Sequence, residues 1–248
     1  MAKMITSVQH PLVKHLVRLR QNRDYREEHQ SVMIEGTKLI EEICSQHQTK
    51  FILTCAESAI PSKVRCEEVI IVNEAVMKKV SGVQSSEGII AEVSMPKPAS
   101  LKKVHWLLAC DGVSDPGNLG TLLRSGLALG WEAIFILENS CDPYNDKALR
   151  AAKGATFRLP IAFGNWSDLR DIVHRNELNP LVAHMQGTSI DKINKKIGTM
   201  LVLSNEAQGI SREAQQHCQK VSIPMHGQME SLNVGVAGGI LMYALRNI

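Results

Sequence analysis

The residues of this 248-residue chain best suited to chemistry fall in three stretches, DGVSDPGNLGTLLRSGLALG (111–130), LVLSNEAQGIS (201–211) and SIPMHGQMESLNVGVAGGILMYAL (222–245). Each sets small and polar residues directly after an apolar, strand-like run, and Arg124, Glu206 and Asn233 stand among them: a cation, an acid and an amide. In a parallel α/β domain such loops lie at the C-terminal ends of strands, where ligands bind. The plain structural alternative for each is a turn with a helix cap, Asn118 or Ser231 doing the capping and Gly130 or Gly209 permitting the turn. Three such loops in one domain favour a site.

Several common chemistries are absent. No GxGxxG follows a strand and no GxxxxGK[ST] occurs, which removes the usual warrants for dinucleotide and P-loop binding. There is no HExxH and no GxSxG, so metalloprotease and hydrolase readings are weak. The six cysteines (Cys44, Cys55, Cys66, Cys110, Cys141, Cys218) are scattered, with no CxxC; neither a zinc site nor a redox pair is expected, and reduced thiols are. No metal is expected at all.

Net charge is only +3, from 28 Lys+Arg against 25 Asp+Glu. Its distribution is more informative. Residues 1–26 carry Lys3, Lys14, Arg18, Arg20, Arg23 and Arg26 against the single acid Asp24, a local +5. There is no signal-peptide pattern and no apolar stretch near the roughly 20 residues that span a bilayer, so a cytoplasmic protein with no membrane partner is expected.

The elements that must position the loops follow from periodicity. PLVKHLVRLRQNRDYREEH (11–29) reads as one basic amphipathic helix with Leu12, Leu16 and Leu19 on its apolar face and Pro11 in its first turn. Lys14, Arg18, Arg20 and Arg23 then form either a solvated face or a surface for phosphates. Alternating strands and helices up to GIIAEVSM describe a small α/β domain, residues 1–95. PKPASLKK (96–103) is a linker. From 104 to 248, strand-like VHWLLAC, EAIFIL, TFRLPIA, PLVAHM, TMLVLS and KVSIPM alternate with helices starting near Asn118, Asn145, Ser167, Ile190, Ser211 and Ser231. That is an α/β domain with a parallel sheet covered on both faces.

In order, spacing and strand context, DPGNLGTLLRS, LVLSNEAQGIS and SIPMHGQMESLNVGVAGGI resemble the three motifs of the SpoU/TrmH family of RNA ribose 2′-O-methyltransferases, in the SPOUT superfamily. The first 95 residues, with VMIEGTKLIEE, resemble the substrate-binding domain that precedes the catalytic domain in many members. The resemblance implies a C-terminal trefoil knot, which ordinary topology rules would not suggest. It further implies S-adenosylmethionine as cofactor and a homodimer whose active site borrows residues across the interface. Carried over by position, Asn118, Arg124, Glu206, Ser231 and Asn233 are the catalytic set, and Ser204, Gly209, Ile223, Pro224, Met225 and Leu232 the cofactor set. Ser204 and Ala207 stand where the family commonly has glycines. Gly235, Gly238 and Gly239 read as close helix packing.

The implied reaction is attack of a ribose 2′-hydroxyl on a sulfonium methyl group, for which the hydroxyl needs deprotonation and alignment. Arg124, with a pKa above about 12, is a poor base. Either an RNA phosphate takes the proton with its help, or it stabilises the developing alkoxide. The substrate is RNA, with ribosomal favoured over transfer RNA. Two alternatives remain at this point: a non-catalytic RNA-binding protein that retains the fold, and a base-modifying SPOUT enzyme.

Overall fold

Apolar runs that do not alternate with polar residues need cover on both faces of their sheet. The second part of the chain is built that way. A computed structural model describes residues 3–47, 49–64, 66–194, 198–205, 209–226 and 231–246. The chain divides into two units, Met1–Lys97 with Tyr144–Arg150, and Pro98–Pro143 with Ala151–Ile248.

The first unit contains β1 (Lys3–Ile5), α1 (Pro11–Gln21), α2 (Arg23–His29), β2 (Ser31–Glu35), α3 (Thr37–Cys44), β3 (Thr49–Thr54), β4 (Glu68–Val72), α4 (Glu74–Ser81) and β5 (Ile89–Ser94). Its sheet has the order β1-β4-β3-β5-β2. The β1–β4 and β4–β3 pairs are parallel, whereas β5 runs antiparallel to both its neighbours. One face packs against α1 and α4 through Val13, Leu16, Leu19, Val76 and Val80. Each such buried aliphatic side chain contributes about 1.5–3 kcal/mol.

The expected single helix over 11–29 is two helices. Asn22 is extended (φ −122°, ψ 121°), and its side chain accepts the Tyr25 N–H at 2.8 Å, so one residue closes α1 and caps α2. An asparagine is better satisfied as an N-cap than inside a helix. The buried face of α1 is Val13, Leu16 and Leu19, with Leu12 half-buried beside it.

The second unit contains β6 (Trp106–Asp111), α5 (Pro116–Ala128), β7 (Ala133–Leu137), α6 (Asp146–Ala152, begun in the first unit), α7 (Ala155–Arg158), β8 (Ile161–Gly164), α8 (Trp166–Arg175), β9 (Asn179–Ser189), β10 (Thr199–Ser204), α9 (Arg212–His217), β11 (Gln219–Ser222) and α10 (Val234–Arg246). Its six strands are all parallel, in the order β11-β9-β10-β6-β7-β8. Alternate residues of β6 and β10 feed two separate cores: Leu108, Cys110, Leu201 and Leu203 on one face, and Leu107, Ala109, Met200 and Val202 on the other.

Two expectations need correcting here. The run TFRLPIA is not one strand, because Ala155–Arg158 forms α7 and only Ile161–Gly164 is strand. The helix expected near Ile190 is a single 3₁₀ turn, Ile190–Lys192. Among the described residues, no helix is long and apolar enough to cross a membrane.

Candidate active site

The first motif loop leaves β6 at Asp111, a buried residue whose Oδ1 accepts the Asn139 side-chain N–H at 2.9 Å. Gly112 turns the chain with φ +76°, a conformation that favours glycine. Its N–H donates to Asn139 Oδ1 (3.0 Å) and Ser140 Oγ (2.9 Å), which anchors the loop to the end of β7. Asp115, not Asn118, caps α5: its Oδ1 accepts the Asn118 N–H at 2.7 Å, with Pro116 in the first turn. The capping role thus leaves the Asn118 side chain free for another partner.

That partner is in the third motif. Asn233 Oδ1 accepts the N–H groups of Gly235 (3.0 Å) and Val236 (3.4 Å) and so caps α10, a role that does not fall to Ser231. A backbone N–H can only donate, so the Asn233 oxygen is committed and its amide nitrogen points to Asn118 Oδ1 at 2.9 Å. The second loop is tied to the first by Asn205 Nδ2, which donates to Ser114 Oγ at 2.9 Å. All three motif loops therefore converge at the C-terminal end of the sheet.

Beside them lies a cavity of about 360 Å³, within the usual range for small-molecule pockets. Ser204, Gly209, Ile223, Met225, Ser231 and Leu232 line it, so five of the six expected cofactor residues and one expected catalytic residue meet there. Pro224 does not belong to the wall and is exposed. Ser204 ends β10 in extended conformation, so serine replaces glycine there without positive-φ strain. Its Oγ is buried and has no hydrogen-bond partner among the described residues, a polar atom suited to a ligand. Gly209, at φ +69°, needs glycine's freedom.

Sequence reasoning missed Ala183, His184 and Met185 of β9, which form another wall. The strand was legible as PLVAHM, but with both faces apolar its pattern could not show which side chains meet a cavity. Glu206 and Ala207 lie outside the described residues.

Arg124 stands apart. It is exposed on α5 and is not in the cavity wall. Six helical residues place it about 9 Å along the axis from Asn118 and about 120° around it. The helix α10 packs on α5 and leaves Val236 (52% exposed), Ile240 (41%) and Tyr243 (60%) uncovered at i, i+4 and i+7. The α10 glycines differ in what they do. A Cβ on Gly238 would meet Leu122, and Leu203 at 2.6 Å, whereas one on Gly239 would meet nothing within 4 Å. Gly238 thus permits close packing and Gly239 lies on the open side.

The thiols are not poised for chemistry. Burial pushes Cys218 up to about 12, with Asp111 adding to it, and burial with Asp115 and Asp142 nearby pushes Cys141 up to about 11. Among the described residues no group of His, Cys, Asp and Glu could hold a metal ion.

The four expected RNA-contacting residues of the first unit separate. Lys14 and Arg18 are exposed on α1, and Arg23 is exposed but paired with Glu27 at 2.9 Å. Arg20 is largely covered: it lies against Gly82, and its Nη1 is 3.9 Å from Asp146. Arg26 is buried and donates to the carbonyls of Leu19 (2.6 Å) and Arg20 (3.1 Å). A charge count cannot separate arginines that close a helix end from those that face solvent.

Both the sequence and the fold match known proteins. Residues 105–243 match the SpoU rRNA Methylase family and residues 10–91 the MRM3-like substrate binding domain. The chain is 31% identical over 250 residues to the 23S rRNA (guanosine(2553)-2′-O)-methyltransferase RlmP of Bacillus subtilis, covering 98% of this chain and 99% of that protein. It superposes on the AdoMet-bound rRNA methyltransferase from Sinorhizobium meliloti with a TM-score of 0.88 at 27% identity, over 99% and 97% of the two chains. A TrmH-family protein from Porphyromonas gingivalis gives a TM-score of 0.82 at 27% identity, over 94% and 96%. With its motif loops knitted together beside a ligand-sized cavity and its sequence matched from end to end, this chain belongs to the SpoU rRNA methylase family.

Proposed function

We propose that this protein transfers a methyl group from S-adenosylmethionine to a ribose 2′-hydroxyl of ribosomal RNA. The observation that carries this reading is the cavity lined by second- and third-motif residues, with the Asn118–Asn233 hydrogen bond joining the third motif to the first. Ser204, Gly209, Ile223, Met225 and Leu232 would hold the cofactor, which when bound supplies an electrophilic methyl group on a sulfonium. Asn118, Asn233 and Ser231 orient the nucleotide at the cavity mouth. Arg124 stabilises negative charge developing on the 2′-oxygen and, as a permanent cation, leaves the proton to an RNA phosphate.

The working unit in this proposal is a homodimer in the cytoplasm, with the trefoil knot that the family implies. The uncovered Val236, Ile240 and Tyr243 supply an apolar patch for a second copy. Arg124 is exposed on α5, the helix that packs on α10, and is not in the cavity wall of its own chain, as expected if each site is completed by Arg124 of the partner subunit. Six free cysteines suit a reducing compartment.

The direct test maps 2′-O-methylated positions in total RNA from a deletion strain and its parent. Loss of one ribosomal position on deletion, restored by the gene, is the expected result. An unchanged map of ribosomal RNA would overturn the proposal.

A further inference from the structure

A buried acid lies at one end of the first unit's sheet. Glu92 of β5 is 1% exposed, and its carboxylate accepts from Ser31 Oγ (2.7 Å), Lys50 Nζ (3.0 Å) and His15 Nε2 (2.9 Å). Burial by itself would raise this carboxyl, but the hydrogen bonds from His15, Ser31 and Lys50, helped by the charge of His15, hold it at about 2. The anion fixes the imidazole, because a carboxylate can only accept and Nε2 must therefore carry a proton. The other imidazole nitrogen, Nδ1, is 2.9 Å from the Tyr25 hydroxyl. A chain of short hydrogen bonds thus runs from a buried carboxylate to a half-buried tyrosine and fixes the position of its hydroxyl.

Two planar groups lie against the Tyr25 ring. The His29 imidazole is 3.9 Å from it, centroid to centroid, and 31° from parallel. The guanidinium carbon of Arg18 is 4.1 Å from the Tyr25 centroid. Arg18 is exposed, and among the described residues it has no carboxylate partner, unlike Arg20 and Arg23, and caps no carbonyl, unlike Arg26. Its guanidinium is thus held over the Tyr25 ring on a residue that is exposed to solvent. Lys14 is exposed one turn earlier on the same helix face.

An arginine plane backed by an aromatic ring is a surface on which unpaired RNA bases stack, and pre-organisation lowers the ordering cost of binding. We propose that Arg18, clamped on Tyr25, is a stacking platform for an unpaired base of the substrate RNA, with Lys14 taking an adjacent phosphate. This rests on the RNA substrate proposed above and adds the mode of recognition.

The test separates charge from plane. Full-length protein and its Arg18→Lys and Lys14→Gln variants are titrated, by fluorescence anisotropy at one salt concentration, with oligoadenylate of about twelve nucleotides and with an abasic strand of equal length and charge. Arg18→Lys keeps the cation and loses the plane. It is expected to weaken oligoadenylate binding about tenfold and abasic binding less than about twofold. Lys14→Gln is expected to weaken both strands alike. Arg18→Lys binding oligoadenylate as wild type does, losing equally on both strands, or wild type binding neither strand would each overturn the platform. Methyl transfer to ribosomal RNA by the wild type is measured separately, so failure of the platform and failure of the proposed activity give different results.

Discussion

Asn233 Nδ2 donates to Asn118 Oδ1 at 2.9 Å, across 115 residues of sequence. The bond has a direction, because the Asn233 oxygen is taken by the backbone of α10. Aspartate at 118 keeps the acceptor, whereas aspartate at 233 keeps the helix cap and replaces the donor with a repelling anion. Asn233→Asp is therefore expected to lower kcat at least about tenfold, and Asn118→Asp clearly less. Steady-state methyl transfer on ribosomal RNA measures both, and equal losses would show that the direction of the bond is immaterial.

Arg124→Ala is expected to abolish methyl transfer while S-adenosylmethionine affinity, read by calorimetric titration, stays within a few-fold, since Arg124 is no part of the cavity wall. If Arg124 acts across a dimer, mixing Arg124→Ala with Asn233→Ala protomers restores one competent site in each mixed dimer. Random pairing then recovers about a quarter of wild-type activity. Recovery near zero would place Arg124 in the site of its own chain.

Adjacent glycines of α10 should respond in opposite ways. Gly238→Ala forces a Cβ into Leu122 and Leu203 and is expected to destabilise by about 1–3 kcal/mol in urea unfolding. Gly239→Ala has open space and gains helix propensity of up to about 1 kcal/mol, yet it adds a methyl group to the side bearing Ile240 and Tyr243. Its expected signature is a protomer of equal or greater stability with a weaker dimer by sedimentation. Gly238→Ala leaving stability unchanged would refute the packing argument.

Glu92 makes the first unit sensitive to acid. Its carboxyl is lowered from 4.5 to about 2 in the folded chain, so its contribution is complete above the unfolded value and is lost as pH falls from about 4.5 through 2. Glu92→Gln is expected to cost about 3 kcal/mol at pH 7, and the gap to wild type should close as pH approaches 2. A gap independent of pH in urea titrations would mean that the side chain acts through shape alone.

Much of this architecture could be read from the chain itself. Uniformly apolar runs such as WLLACD and TMLVLS announce strands buried on both faces, and β6, β7 and β10 fall where such runs do, whereas β8 takes only the end of TFRLPIA and β11, QKVS, is mostly polar. The clustering of the three motif loops was likewise legible, since loops after parallel strands share one end of the sheet. Three things were not. Asn22 is polar among polar neighbours, so the break between α1 and α2 left the amphipathic pattern intact. Four residues of α7 are too few for a helical period to show. Arg20 and Arg26 count as charges in a sequence, while their engagement with Asp146 and with the end of α1 depends on tertiary placement.

The central strand β6 takes β10 as one neighbour, with Trp106 aligned on Thr199, and α5 receives α10, the last described helix of the chain. A nascent chain carrying β6 and α5 must therefore wait until β10 and α10 have been made before it can form these contacts and join Asn118 to Asn233. Contacts so distant in sequence form late and slowly. Translation consequently imposes an order of events: the motif loops of a molecule converge only after Asn233 and the helix that follows it have been made.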